Sequence, residues 1–440
     1  MKVKPVLVIG GGVAGIEAAL SLASLGVEVY LVEKEPSLGG RIAQLSYLAP
    51  TMEEALNVLT PRMKAAAENP MVKLLAYSEV VEAKGGAAAF NVTVKRKARY
   101  VDEARCDACG LCAVKCPVEV VSEFDLGLGK RKAIYIPFKG AVPAAYVIDR
   151  ANCLHFKDGS CTICRDTCPR GAVNYGEEDR TVKFEVGAII LATGYDQFNP
   201  RRKREYGYGA HKDVVTGLEL ERMLSPTGPT GGKPVKPSTG EKPESVAIIL
   251  CVGSRDETAC RYCCRIGCVA GLKHAYILRK TLGDEADIYL CFNDIRTSGK
   301  GYEEFYREVR SLGITLIRGQ PSSIVEDEKG KLSFKVFDEA TSKLFKLNVD
   351  LVVLEVCLTP SQSGMEVQRL LQVPVGVDGF YAETDLKLKP WETKIPGVFM
   401  AGACQYPKDL AEAVTQAKAA ALEALTFLKL HSPVKLESTS

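Results

Sequence analysis

Pro5-Val-Leu-Val-Ile-Gly10-Gly-Gly12-Val-Ala-Gly15 is the stretch that decides the fold of this 440-residue chain. Its apolar run over 5–10 predicts a buried parallel strand. A G-x-G-x-x-G loop follows at Gly10, Gly12 and Gly15, and the next residues predict a helix over 16–25. A second strand is expected over 28–32, ending at the acid Glu33. Strand, glycine loop, helix, strand, acid is the order of a dinucleotide-binding unit. The glycines permit a tight turn and close approach of a pyrophosphate, and the helix N-terminus turns N–H groups and positive dipole toward it. Glu33 is placed to accept hydrogen bonds from ribose hydroxyls. The bland alternative is a glycine-rich turn without ligand, and the second strand with its acid weighs against it.

Outward from this unit, three further stretches choose FAD over NAD. Glu35-Pro-Ser-Leu-Gly39-Gly40-Arg41 resembles the second FAD-contacting loop of flavoproteins with two dinucleotide domains. Ala192-Thr193-Gly194 resembles the strand end where the chain re-enters their FAD domain, and Ala401-Gly402-Ala403 resembles their last FAD motif. That motif normally ends in aspartate, whereas Cys404 stands here, so backbone N–H groups are expected to take its place. The helix expected over 410–430 would aim its positive end at the flavin. A helix over 52–69 is expected to belong to the same domain.

Between these stretches lies Cys106-Asp-Ala-Cys109-Gly-Leu-Cys112-Ala-Val-Lys-Cys116-Pro117, then Cys153, Cys161, Cys164 and Cys168-Pro169. This is the ligand pattern of a ferredoxin with two [4Fe–4S] clusters, in which the fourth cysteine of each run serves the other cluster. Cys106, Cys109, Cys112 and Cys168 are expected to hold one cluster. Cys116, Cys153, Cys161 and Cys164 are expected to hold the other. Zinc or disulfides are the alternatives, and two near-repeats that both end in Cys-Pro count against them. The charged stretch 130–143 reads as a strand pair with a solvated face.

A Pro-, Gly-, Ser- and Thr-rich stretch over 226–243 reads as a linker. The apolar run 245–250 then opens a second domain of the same kind, with a helix to about 280 and a strand over 286–292. Its glycine loop is missing, so usual nicotinamide binding is not expected. Cys251, Cys260, Cys263, Cys264 and Cys268 stand there instead. The readings are buried core thiols, a redox pair, or a third [4Fe–4S] site built on Cys251, Cys264 and Cys268 with Cys260 or Cys263. Cys291 and Cys357 read as core thiols. A helix over 302–312, strands over 333–337 and 344–349, and a buried strand over 350–356 complete the domain.

Composition bounds the function. A net charge of +3 without a basic block gives no case for nucleic acid. The first residues run straight into a strand, which does not read as a signal peptide, and no apolar run reaches membrane-spanning length. Membrane contact is therefore expected only through a partner. Sixteen cysteines without an export signal point to metal or redox chemistry, while four histidines give no basis for a histidine-rich metal site. Paired carboxylates, a Ser-His-Asp set and a P-loop are all absent, so hydrolysis and phosphoryl transfer are not expected.

The expected fold is α/β, a two-dinucleotide-domain flavoprotein of the thioredoxin and glutathione reductase kind with an inserted α+β ferredoxin domain. The boundaries expected are 1–100 and 177–240 for the FAD domain and linker, 101–176 for the insert, 241–356 for the second domain and 357–440 for completion of the first. The glycine loop, the Cys106 insert, Glu123-Phe-Asp-Leu-Gly-Leu-Gly-Lys-Arg-Lys-Ala-Ile-Tyr135, Cys251-Val-Gly-Ser-Arg-Asp256, Gly299-Lys-Gly-Tyr-Glu-Glu-Phe-Tyr306 and Ala401-Gly-Ala-Cys-Gln405 together resemble the A subunit of heterodisulfide reductase, in that order and along essentially the whole chain. That family's full-length members carry an extra N-terminal domain and often a further ferredoxin module. A short form resembles the A subunit of the quinone-interacting membrane-bound oxidoreductase complex. This resemblance implies FAD, iron–sulfur clusters and B and C partner subunits at the cytoplasmic face of a membrane. It also implies electron exchange between menaquinol and adenylylsulfate reductase. The alternatives are a flavin-based bifurcating subunit of a soluble heterodisulfide reductase and an NAD(P)H-dependent flavin oxidoreductase. The family pattern has a Cys-Cys pair at the end of the third cysteine group, where this chain has its pair upstream at Cys263-Cys264.

Overall fold

The computed structural model describes residues 3–431. Strand Val6–Ile9 is wholly apolar and buried, and it sits at the centre of a parallel sheet because both of its faces are covered. Ala188–Leu191 and Val29–Val32 flank it in parallel, with Val6 opposite both Ala188 and Val29. Val72–Leu75 extends the sheet beyond Val29–Val32, and Val398–Met400 extends it beyond Ala188–Leu191. The helices Val13–Ser24 and Leu410–His431 pack on one face, where Ile16, Leu22, Ala417, Ala421 and Ala424 are fully buried. The other face is covered by an antiparallel meander of Ser78–Gly86, Ala89–Arg96 and Arg180–Val186.

That meander positions the insert. Ala89–Arg96 pairs with Arg180–Val186 in a register that sets Arg96 opposite Arg180. Everything between them therefore leaves and returns through one end of a strand pair. Its own core gathers Tyr100, Val101, Ile134, Tyr146, Ile148 and Ala172 around the cysteines.

The second domain repeats the plan. Val214–Thr216, Leu351–Val356, Ser245–Val252, Asp287–Phe292 and Thr315–Arg318 form a parallel sheet. Helices Gly217–Leu224 and Gly267–Leu282 cover one face, and the meander Val325–Glu326, Leu332–Asp338, Lys343–Val349 covers the other. Two chain crossings join the domains, and they pair with each other: Tyr195–Gln197 runs antiparallel to Leu358–Pro360. Between Leu224 and Ser245 no helix or strand forms, only turns.

Three expectations need correction. The first helix begins at Val13, since Gly12 takes the N-cap position. The helix expected from 52 begins at Ala55, because Met52 adopts φ 58° and Glu53–Glu54 pairs with Tyr47–Leu48. Residues 130–143 do not pair with each other. Lys130–Lys132 pairs with Glu119–Val121, and Ile134–Tyr135 pairs with Val147–Ile148, because the hydrogen bonds of Ala133 divide between Val118 and Asp149.

Candidate functional site

The C-terminal ends of the first sheet open on a cavity of about 1260 Å3, larger than a typical small-molecule pocket. Gly10 holds φ +113°, and a Cβ there would collide with the carbonyl of Ala192. A Cβ at Gly15 would collide with the carbonyl of Gly10, so Gly15 closes the turn from behind and does not face the cavity. Gly12 caps Val13–Ser24 with no side-chain hydrogen bond, leaving first-turn N–H groups at the cavity wall. Gly40 lies across from it, and a Cβ on Gly40 would come within 2.9 Å of the Gly12 Cα. Gly39 sits behind, its N–H donating to the Gly11 carbonyl at 2.9 Å.

The Glu33 carboxylate accepts N–H bonds from Gly11 (2.6 Å) and Glu35 (2.8 Å). Each oxygen keeps a free lone pair for a ribose hydroxyl. Burial outweighs these bonds and pushes its carboxyl up to about 7. Arg41 lines the cavity and donates to Asp196 at 2.7 Å, tying this loop to the crossing strand. Ala192, Thr193, Gly194, Gly402 and Ala403 also line the cavity. Cys404 turns away, its thiol directed at the carbonyls of Leu191 and Ala401, both at 3.2 Å. It therefore does not stand in for the expected aspartate. Lys408, just before helix Leu410–His431, lies at the cavity instead, and burial pulls its ammonium below the usual lysine range. The backbone cradle and the buried acceptor fit a dinucleotide.

The insert and the second domain complete the wall. Phe124, Tyr135, Pro137 and Phe138 reach it from the insert, and Arg265, Ile266 and Gly267 reach it from the loop of the third cysteine group. Facing them is a buried ionic cluster that no sequence motif announced. His274 donates from Nε2 to Glu221 at 2.7 Å and from Nδ1 to Glu355. Both ring nitrogens meet carboxylates, so the ring is an imidazolium. Burial opposes that charge, yet the two carboxylates raise the ring to about 9. Burial also works against ionised Glu221, and Lys273 and His274 overcome it, holding the carboxyl far below its ordinary range. Glu221 accepts from the Ser46 N–H (2.8 Å) and hydroxyl (2.6 Å), and Lys273 donates to the Tyr47 carbonyl (2.9 Å). The cluster thus locks the two domains together at the cavity edge. The available signal was an acid inside an apolar strand, Glu355 in Leu351–Val356.

All sixteen cysteines are free thiols. Cys106, Cys109, Cys112 and Cys168 line one small cavity in the insert. Burial raises Cys112 to about 12, with further repulsion from Cys106, Cys164 and Cys109. Cys164 is raised first by burial and then by the nearby Cys153, Cys116 and Cys161, which marks the second foursome. The Ala172 N–H donates to the Cys168 sulfur (3.3 Å), and the Tyr175 hydroxyl lies 3.0 Å from Cys164. Such bonds to sulfur tune a cluster's potential. Two open foursomes of thiols in an apolar core fit iron–sulfur clusters.

In the second domain Cys251 ends the strand Ser245–Val252 at φ 64°, and Cys268 stands in the first turn of Gly267–Leu282. Burial first, then Cys268 and Cys263, raise the Cys251 thiol to about 11. The neighbouring Cys264 thiol draws Cys263 below the ordinary thiol range. The Cys264 sulfur occupies the space over Gly267, where an added Cβ would meet it at 3.0 Å. Cys251, Cys263, Cys264 and Cys268 thus form one group. Cys260 faces away, toward Cys357.

A family model described as FAD dependent oxidoreductase matches residues 5–97, and one described as 4Fe-4S binding domain matches residues 99–122. The iron-sulfur A subunit of the CoB--CoM heterodisulfide reductase of Methanocaldococcus jannaschii is 46% identical over 421 residues, covering 95% of this chain and 63% of that one. The A subunit of the H(2):CoB-CoM heterodisulfide,ferredoxin reductase of Methanothermobacter marburgensis is 44% identical over 420 residues, again covering 95% and 63%. Among solved structures, thioredoxin reductases of T. acidophilum and Lactococcus lactis each align with a TM-score of 0.53 at 15% identity, covering 97% of this chain and 99% of theirs. Those two share the fold, an α/β flavoprotein of the thioredoxin reductase kind. By sequence the chain is similar to heterodisulfide reductase A subunits along 95% of its length, and it spans 63% of the length of the relatives it matches.

Proposed function

We propose that this chain is an electron-transfer subunit carrying one FAD, two [4Fe–4S] clusters in the insert and a third on Cys251, Cys263, Cys264 and Cys268. One observation carries the reading: residues of the glycine loop, of the ferredoxin insert and of the third cysteine loop share the wall of a single cavity. FAD exchanges electrons in pairs or singly and clusters exchange one at a time, so a flavin flanked by clusters joins the two kinds of flow. Gly10, Gly12 and the first turn of Val13–Ser24 would hold the pyrophosphate, and Glu33 the ribose. Phe124 and Phe138, stacked with centroids 5.0 Å apart, exclude water on the insert side. His274 with its two carboxylates holds a proton that a two-electron exchange requires.

The cofactors are ascribed to a larger complex. Among the described residues no helix is long and apolar enough to cross a membrane, so a membrane partner would supply that contact. The finer reading is exchange between menaquinol and adenylylsulfate reductase through B and membrane C-type subunits. The relatives' names, which include heterodisulfide and ferredoxin reductase, support equally a bifurcating role in a soluble complex. Native co-purification separates them. Recovery with a haem-bearing membrane protein or adenylylsulfate reductase supports the first. Recovery with heterodisulfide reductase B and C subunits supports the second. A chain isolated alone whose flavin is bleached rapidly by NADH contradicts both.

A further inference from the structure

The third cysteine loop carries one thiol more than four iron ligands require, and that thiol has a partner of its own. Cys357 follows the buried strand Leu351–Val356 and is itself fully buried. Its N–H donates to the Val252 carbonyl at 2.9 Å. Cys260 is half-buried, and its N–H donates to the next carbonyl, Gly253, at 3.0 Å. Both backbones are thus fixed on the same short stretch, 252–253. Both side chains belong to one apolar core with the Tyr262 ring, whose hydroxyl is anchored on the Leu358 carbonyl at 2.9 Å. Neither sulfur lines the flavin cavity.

We propose that Cys260 and Cys357 are a redox-active dithiol, distinct from the cluster ligands, whose disulfide fastens the third cysteine loop to the end of strand Leu351–Val356. Cys260 is the more exposed sulfur of the two, and neighbouring Cys357 draws its thiol below the ordinary range, toward the nucleophilic thiolate. Its substrate class is a small-molecule disulfide. Cys260 attacks one sulfur, the S–S bond breaks, and one thiolate leaves. Cys357 then attacks Cys260 in the mixed disulfide and expels the second thiol. Two protons and two electrons pass from the cysteine pair to the small disulfide, which ends as two thiols. Cys357 is too buried to start the exchange, which fixes the order. The couple stands apart from the electron-transfer reading, since no cluster or flavin takes part.

The test uses the full chain, purified anaerobically with its cofactors and exposed to oxidised glutathione. Free thiols are then alkylated and the digest is read by mass spectrometry beside an iron count. The expected result is one new cross-linked peptide pair joining Cys260 to Cys357, two hydrogens lighter than its reduced parts, with iron unchanged. Cys357→Ser should leave a stable glutathione adduct on Cys260, and Cys260→Ser should leave Cys357 unreactive until the chain is denatured. Alkylation of both thiols after exposure, an arrested adduct in the unsubstituted chain, or a cross-link from Cys260 to Cys263 or Cys264 overturns the proposal. A cross-link formed in a chain with too little iron for a third cluster upholds the pair and contradicts only the cluster assignment.

Discussion

The two nucleotide-type domains have one plan and differ at one turn. In both, a buried central strand of a parallel sheet runs toward the inter-domain cavity, with helices on one face and a three-stranded meander on the other. In the first domain the strand Val6–Ile9 turns at once into its helix. The turn closes so tightly that Gly15 must lie against the carbonyl of Gly10, and it lines the cavity with Gly10, Gly12, Val13 and Ala14, none of which has a polar side chain. In the second domain the strand Ser245–Val252 leads into a longer loop, 253–266, before the helix Gly267–Leu282. That loop carries Cys260, Cys263 and Cys264 where the first domain has only its glycine turn. The sheet fixes where a site lies, and the turn fixes which groups it presents: peptide amides in one domain, clustered thiols in the other.

The comparison breaks most sharply at Gly15. Gly15→Val drives a side chain into the Gly10 carbonyl, and such overpacking costs at least about 1–3 kcal/mol even where neighbours can move. Purified protein should retain less than about a tenth of its flavin absorbance while keeping its iron. Equal loss of iron would show that the two sites are not independent. The converse is Cys251→Ser. Removing one ligand should cost about four of about twelve iron atoms per chain, with flavin stoichiometry intact. Cys260→Ser should cost none, because its thiol faces Cys357.

The cluster that joins the domains offers a third test. Replacing His274 by Ala strands two buried carboxylates, an effect of about 3–5 kcal/mol in denaturant unfolding. Its folded pKa lies above the ordinary value, so its contribution is complete below about pH 6.5 and is lost as pH rises through about 9. The difference between the native chain and the variant should shrink over that window. A difference that grew with pH would contradict the imidazolium. The smallest effect is expected at Thr216, whose hydroxyl caps helix Gly217–Leu224 in a capping box with Glu219. Thr216→Ala should cost about 1 kcal/mol and leave both cofactors in place.

Local signals carried most of this architecture. The strands Val6–Ile9 and Ser245–Val252 are continuous apolar runs, and the glycine and cysteine spacings lie within single loops. Other features depend on packing between distant segments. Glu221, Lys273, His274 and Glu355 come from two helices and a strand, so no spacing links them. The alternation over 130–135 predicts strands but not their partners, which lie on opposite sides of Ala133. Five thiols in one loop could not be divided by sequence between Cys260 and Cys263. Cys357, just past a strand nearly one hundred residues on, shares a core with Cys260.

The central claim is that one cavity places a flavin between two sets of clusters. Its direct test is flavin photoreduction in the anaerobic, cofactor-replete chain, followed by rapid freezing and electron paramagnetic resonance. Signals of reduced [4Fe–4S] clusters are expected as the flavin absorbance first falls and then recovers. A flavin that stays bleached beside clusters that remain oxidised would contradict the claim.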